Sequence, residues 1–294
     1  MKYIVGVDGG GSTCRLALAD GRGHILGQAK SGPANIRTDL QGAYENIMSA
    51  LHEAASQAGI PSEQAVDAVA VLGLAGANVG DYAQQLKLRL PFRDTLIAGD
   101  GTIAIYGALG AYDGVVGIVG TGSVFAIRRT DRIRTIGGWG FQIGDLGGGA
   151  RLGRQLLEET LLAYDGVRPA SPLTDEVMAE FEAEPGRLVE RVRDAAPELY
   201  ASFVPKLTRA ADEGDEVANA ILDAGCRDVE RMLHAILAED IDRLCLLGGL
   251  ASAYTPRLDA SYRRLLKPAM GDALQGALQL ALEHAGRPRG AADE

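Results

Sequence analysis

The chain has little cysteine, few aromatics and no excess of basic charge, and each shortage narrows what it can be. Its three cysteines, Cys14, Cys226 and Cys245, form no CxxC pair and share no metal-ligand spacing with the four histidines. That pattern excludes a disulfide framework and a structural zinc site, and it fits a reducing, cytoplasmic compartment. Lys and Arg number 29 against 39 Asp and Glu, a net charge of −10, which argues against a nucleic-acid or anionic-membrane partner. The run Arg128-Arg129-Thr130-Asp131-Arg132 is short and interrupted, so it reads as a solvated hairpin rim. No apolar run approaches the roughly 18 residues that cross a bilayer, and no charged and apolar leader precedes the first strand, so the chain is expected to be soluble and unsecreted. A Gly-Lys dipeptide is missing, which excludes a P-loop, and the HRD and DFG sequences of protein kinases are missing too.

What the chain has instead is glycine, 39 residues of it. Asp8-Gly9-Gly10-Gly11-Ser12-Thr13 follows an apolar strand from Tyr3 to Val7 and precedes a second strand; Gly120-Thr121-Gly122-Ser123 repeats the arrangement between Val115–Val119 and Val124–Ile127. Both turns lead into strands and not into helices, which argues against a dinucleotide-binding Rossmann unit. Tight glycine turns bring backbone N–H groups close to an anion, so two of them can grip a polyphosphate, although each alone is also explained as an ordinary hairpin turn. Thr13 and Thr121 add hydroxyls. Asp8, at the carboxyl end of its strand, is placed to hold a hydrated Mg²⁺, which proteins bind through one or two carboxylates plus phosphate oxygens. Asp100, at the end of another strand in Ala98-Gly99-Asp100, is placed to accept a proton; the same residue is also explained as the N-cap of a helix from Thr102 to Leu109.

The order of elements suggests an internal duplication. Strands are expected at 2–7, 15–20 and 24–30, a helix at 40–58, a strand at 66–74, a helix near 81–89, a strand at 95–98 and a helix at 102–109. The pattern restarts with strands at 114–119, 123–129 and 132–136, then helices at 150–164, 173–181, 187–194, 203–212 and 215–239, a strand at 244–247 and a helix at 272–284. Length sits at the upper limit for one core, so two lobes of mixed sheet and helix are expected. The boundaries are 1–112 and 113–271, with a C-terminal helix over 272–285 packing back on the first lobe and a frayed tail over 286–294.

The third glycine cluster runs from Gly137 to Ala150, with seven glycines and the single tryptophan, Trp139. Trp139 is explained either as a core plug or as a ring lying near an apolar sugar face, with Asp145 and main-chain groups bonding hydroxyls. With these residues in view the chain resembles the N-acetylglucosamine kinase family, the BadF/BadG/BcrA/BcrD-type ATPase branch of the sugar kinase, heat-shock ATPase and actin superfamily. The resemblance covers Tyr3 to about Gly249. Gly9-Gly10-Gly11-Ser12-Thr13 is similar to its first phosphate loop, Gly120-Thr121-Gly122-Ser123 to its second, Gly137–Asp145 to its sugar segment, and Leu247-Gly248-Gly249 to its adenosine loop. Pro33-Ala34-Asn35 is similar to the stretch whose Asn contacts the sugar.

The resemblance implies a two-lobed actin-like ATPase (ribonuclease H-like) α/β fold with duplicated βββαβα units and an interlobe cleft. It implies ATP and Mg²⁺ as cofactors and phosphorylation of an amino sugar, N-acetylglucosamine or glucosamine, at the 6-hydroxyl. Asp100 would be the base, Asp8 the metal residue, and Gly10, Gly11, Ser12, Thr13, Gly120, Thr121, Gly122, Gly248 and Gly249 the nucleotide contacts. Asn35, Asp100, Ser123, Gly138, Trp139, Gly140 and Asp145 would hold the sugar, and a homodimer is compatible with it. Relatives carry Gly-Asp-Glu-Gly-Ser where this chain has Gly144-Asp145-Leu146-Gly147-Gly148, which leaves the exact amino sugar open. The same branch holds ATPases that activate a redox partner, and a non-catalytic sugar sensor would share the fold; isolated cysteines weigh against the first, and retention of Asp8 with Asp100 against the second.

Overall fold

The computed structural model describes residues 2–130, 132–237 and 241–286. Contacts divide them into two compact units, one built from residues up to Tyr112 with those from Pro268 onward, the other from Asp113 to Lys267. In the first, β1 (Tyr3–Gly9), β2 (Cys14–Asp20) and β3 (Ile25–Ser31) form an antiparallel meander; α1 (Leu40–Gln57), α2 (Ser62–Ala65), β4 (Val69–Leu74), α3 (Tyr82–Lys87), β5 (Asp94–Gly99) and α4 (Asp100–Leu109) follow. The sheet order is β3-β2-β1-β4-β5, with β1, β4 and β5 parallel. Every residue of β4 is buried, as expected of a parallel strand covered on both faces. Helix α1 starts where Asp39 accepts from the Gly42 N–H, and it buries Ala43, Ile47, Ala50, Leu51 and Ala54 at helical spacing.

In the second unit β6 (Gly114–Val119), β7 (Ser123–Arg129) and β8 (Arg132–Gly137) repeat the meander. Then come α5 (Gly149–Tyr164), α6 (Pro172–Ala179), α7 (Pro185–Val192), α8 (Pro197–Ala201), α9 (Val204–Asp212), α10 (Glu216–Ile236), β9 (Leu244–Leu247), α11 (Ala251–Tyr254) and α12 (Ala260–Arg263). The order β8-β7-β6-β9 copies the first sheet, with β9 parallel to β6. Where the first sheet adds β5, this one has a single parallel bridge between Leu244 and Leu266. Each unit has its own core, one around Val5, Leu16, Leu51 and Leu72, the other around Phe125, Leu156, Leu222 and Tyr254. Among the described residues no helix is long and apolar enough to cross a membrane.

The last helix, α13 (Ala273–Gly286), packs on α4, β1 and β4 of the first unit. Its fit depends on missing side chains: a Cβ at Gly107 would strike the Asp272 carbonyl, one at Gly276 the Ile103 carbonyl, and one at Gly6 the Leu278 backbone N at 2.9 Å. The chain returns to this unit at Pro268 and not at 272, because Met270 and Gly271 already donate N–H bonds to Ala108 and Gly107.

Several local expectations are corrected. Helix α4 begins at Asp100 itself, with Gly99 in the cap position, so Asp100 does not cap a helix from 102. The expected strand 66–74 starts at Val69, after the short helix α2. Arg128 is buried, not part of a solvated rim, because it still lies within β7, whose residues 125–128 are all covered. The last positions expected in the 215–239 helix, and the tail beyond 286, lie outside the described residues.

Candidate active site

In the first unit the antiparallel register closes the β1–β2 hairpin at Gly9 and Cys14, with Gly10 to Thr13 as the turn and a Gly10 N–H bond to the Thr13 carbonyl at 2.9 Å. One step back from that closure, Asp8 faces Arg15 across the strands. Arg15 spends Nε (3.1 Å) and Nη2 (2.6 Å) on the same oxygen, Oδ2 of Asp8, and its Nη1 on Oδ2 of Asp272 at 2.6 Å. The other oxygen of Asp8, Oδ1, has no partner among the described residues. Burial disfavours the Arg15 charge, but its two carboxylate partners win and raise its pKa. Desolvation opposes the charge on Asp272 likewise, and is outweighed by the Gln275 N–H and by Arg15, so its carboxyl titrates below the usual range.

Asp100 is exposed at the first residue of α4, and its Oδ1 accepts the N–H of Gly101 at 2.9 Å. A carboxylate there is favoured by the helix dipole. Asn78 lies beside it: a Cβ at Gly99 would come 2.7 Å from the Asn78 amide nitrogen. Asn35 turns Oδ1 back onto the N–H groups of Arg37 (3.1 Å) and Thr38 (3.3 Å), an Asx turn that leaves its NH₂ as the free donor.

In the second unit the turn Gly120-Thr121-Gly122 is bound to the glycine-rich segment. The Gly120 and Thr121 carbonyls accept the N–H groups of Gly149 (2.8 Å) and Ala150 (2.9 Å), which are the first turn of α5. Ser123 is buried, and its hydroxyl donates to the Leu146 carbonyl at 2.7 Å, so the side chain expected on the sugar is engaged inside the protein. The Gly138 N–H bonds the Ser123 carbonyl at 3.0 Å. Asp145 sits at φ 54, a left-handed conformation that Asp tolerates at a cost of about 1 kcal/mol. There its Oδ1 accepts the Gly140 N–H at 3.2 Å, while Oδ2 occupies the space that a Cβ at Gly122 would need.

Trp139 is 78% exposed and Ile143 87% exposed. The core-plug explanation of Trp139 is therefore overturned; the loop is anchored instead by Phe141 against Tyr200, with ring centroids 4.9 Å apart. Gly248 sits at φ 92, where a Cβ would strike the Val119 carbonyl, so only glycine fits there, and the Leu250 N–H bonds that same carbonyl at 3.1 Å. From α11, the Tyr254 hydroxyl donates to the Gly147 carbonyl at 2.6 Å inside the core. Burial pushes its pKa far up.

Whether these loops fit a nucleotide can be tested on the glycines themselves. A Cβ at Gly11, Gly120 or Gly249 would meet no protein atom within 4 Å, and none of the three has left-handed φ. The fold has no need of glycine there, whereas a backbone that must approach phosphate or base closely does. With Oδ1 of Asp8 open, the residues present also fit a hydrated Mg²⁺. Among the described residues no group of three or more His, Cys, Asp or Glu is gathered into a metal site of its own. The cysteines do not fit a redox cluster. All three are buried, and burial raises the Cys14 thiol to about 11 and that of Cys226 to about 12. A concavity of about 640 Å³ between α5, α6 and α10 contains none of the expected site residues.

Reading the sequence alone misses Arg15, Asn78 and Asp272. Arg15 could have been found by counting outward from the hairpin turn, which pairs it with Asp8; Asp272 by its capping-box spacing to Gln275.

Residues 5–274 match the model of a family described as BadF/BadG/BcrA/BcrD ATPase. The chain is 33% identical over 285 residues to the glucosamine kinase GspK of Vibrio cholerae, covering 96% of each protein. It is 25% identical over 255 residues to the N-acetylmuramic acid/N-acetylglucosamine kinase of Clostridium acetobutylicum, covering 81% of this chain and 80% of that one. Among solved structures, a protein of Chromobacterium violaceum provisionally named an N-acetylglucosamine kinase superposes with a TM-score of 0.85 at 30% identity, over 96% of this chain and 99% of its own.

Proposed function

The chain belongs to the BadF/BadG/BcrA/BcrD ATPase family, and on that premise we propose that it transfers the γ-phosphoryl group of ATP to the 6-hydroxyl of an amino sugar, with glucosamine as the preferred acceptor. The observation that carries this is the 33% identity, over 96% of both chains, to a glucosamine kinase.

The first unit contributes the two acids. Asp100 accepts the proton of the sugar hydroxyl as its oxygen bonds to the γ-phosphorus and the bond to the β-phosphate oxygen breaks, releasing ADP. Asp8 orients a hydrated Mg²⁺ through Oδ1, and that ion, when bound, neutralises charge on the phosphates. Asn35 offers its NH₂ to a sugar hydroxyl. The turn Gly10 to Thr13 holds phosphate with backbone N–H groups. The second unit contributes the turn Gly120 to Gly122 for phosphate, Gly248-Gly249 for adenosine, and Gly138, Trp139, Gly140 and Asp145 for the sugar. Ser123 acts by holding Leu146 in place. Such a reaction is catalysed mainly by positioning and fixed charge.

Buried cysteines that form no disulfide agree with a reducing compartment such as the cytoplasm. They also weigh against an ATPase that activates a redox partner, since that role calls for accessible thiolates on an iron–sulfur cluster. The test is coupled ADP release over glucosamine, N-acetylglucosamine, N-acetylmuramic acid and glucose, with the product's phosphorylated position read by NMR. Glucosamine-dependent release with the highest kcat/KM of the panel is expected. ADP release indifferent to every sugar would overturn the kinase reading in favour of the activator.

A further inference from the structure

Asp8 is held by a chain of charges that begins outside its own hairpin, at the head of the last helix. Asp272 forms a reciprocal capping box with Gln275, each backbone N–H bonding the other's side chain at 3.0 Å. Its second oxygen holds Nη1 of Arg15 at 2.6 Å. Arg15 then places two nitrogens on one oxygen of Asp8. An Arg facing a carboxylate freely tends to take both oxygens in a parallel fork. Here the guanidinium also reaches Asp272, and it covers Oδ2 of Asp8 alone. Helix α13, whose start Asp272 caps, is interlocked with α4 through Gly107 and Gly276, and α4 carries Asp100 at its first residue.

We propose that Arg15, fixed by Asp272, is a positioning residue for the metal: it pins Oδ2 of Asp8 and so presents Oδ1 in one orientation to the hydrated cation. The proposal rests on the assignment of Asp8 to Mg²⁺. Outer partners of metal-binding carboxylates act in this way, and their loss typically costs about 10- to 100-fold in metal affinity or activity. The competing account is that the ion pair only joins α13 to the hairpin. A half-exposed pair of that kind contributes little to stability, and its loss would leave metal binding unchanged.

The test avoids turnover. The affinity for the non-hydrolysable analogue AMP-PNP is measured by calorimetry with Mg²⁺ and with EDTA, and the ratio of the two affinities gives the metal's contribution. Arg15→Lys keeps the charge but cannot reach both acids, and Asp272→Asn keeps the helix cap, since Asn caps as well as Asp. Arg15→Lys is expected to lower the ratio about tenfold, and Asp272→Asn to lower it by a smaller factor, with EDTA-state affinity and melting temperature close to the parent's. A parental ratio in folded Arg15→Lys overturns the positioning role. Asp8→Ala, run beside them, separates the two failures: if it too keeps the parental ratio, the assignment of metal to Asp8 falls; if it abolishes the ratio while Arg15→Lys does not, only the role of Arg15 falls.

Discussion

The two glycine hairpins have the same strand connection and different surroundings. At the step behind the closing pair, the first hairpin sets Asp8 against Arg15, whereas the second sets Ile118 against Val124. The first turn has four residues, and the carbonyls where the chain enters it, of Gly9 and Gly10, accept the loop N–H groups of Ala75 and Ala34, each at 2.8 Å. The second has three, and its carbonyls accept the first N–H groups of α5. A duplicated backbone has thus been divided by side chains: one copy carries charge framed by α13, and the other is an apolar hairpin tied into the segment that carries Asp145. The difference predicts that substitutions in the first copy act on the chemistry and on ATP, and that those displacing Asp145 in the second act on sugar affinity and stability as well.

The largest effect should come from Asp8→Ala. Loss of the carboxylate removes the group that orients the metal and leaves Arg15 without its main partner, so kcat should fall by at least about 10³-fold. Steady-state kinetics at saturating Mg²⁺, with exhaustive chelation as the control, would check it; activity that survives chelation contradicts the assignment. Asp100→Asn comes next, at on the order of 10²-fold in kcat with ATP and sugar affinity largely kept, as expected for loss of a positioned base. Near-parental turnover in the folded variant would remove Asp100 from that role.

In the second copy, Asp145→Ala should raise the sugar KM roughly 10- to 100-fold, the equivalent of about 1.5–3 kcal/mol for a charge-assisted hydrogen bond, and leave the ATP KM within about twofold. Because a Cβ at Gly122 would collide with Oδ2 of Asp145, Gly122→Ala should follow Asp145→Ala and raise the sugar KM, in addition to its effect on the phosphate that its turn holds. Gly11→Ala, with open space around it, should spare the sugar and raise the ATP KM. If both glycine variants act on ATP alone, the division between the hairpins does not hold.

Much of this is legible in the sequence, and what is not has a physical reason. The meanders show because glycine turns punctuate strands of strong β propensity, and α1 and α10 show because their apolar periodicity is long. The four-residue helices α2, α11 and α12 and the five-residue α8 fall below the length at which periodicity can be read. Arg15 has no signal of its own in the sequence until the register pairs it with Asp8. Arg128 reads as part of a basic run, although β7 carries it inside. Trp139 stands in the sequence between a core plug and a ring near a sugar face, and only its exposure, between glycines at φ 71 and 89, removes the first. The left-handed turn at Asp145 leaves no composition signal, because Asp is accepted in many conformations.

The smallest effect concerns the tie that only the second copy has. Tyr254 reaches from α11, just past the Gly248-Gly249 turn, to the Gly147 carbonyl, and both ends of that hydrogen bond are buried. Phenylalanine fills the same space, so Tyr254→Phe isolates the hydroxyl: the carbonyl loses its donor inside the core, which costs about 1–3 kcal/mol. For a protein of this size each kcal/mol shifts the melting temperature by about 2–4 °C, so a fall of several degrees is expected by calorimetry. The ring stays in place to hold α11, so the KM for ATP should change less than twofold, while the sugar KM should rise modestly because Gly147 lies two residues from Asp145. A melting temperature within a degree of the parent's would mean that the bond is readily replaced, and that the second hairpin is no more firmly tied than the first.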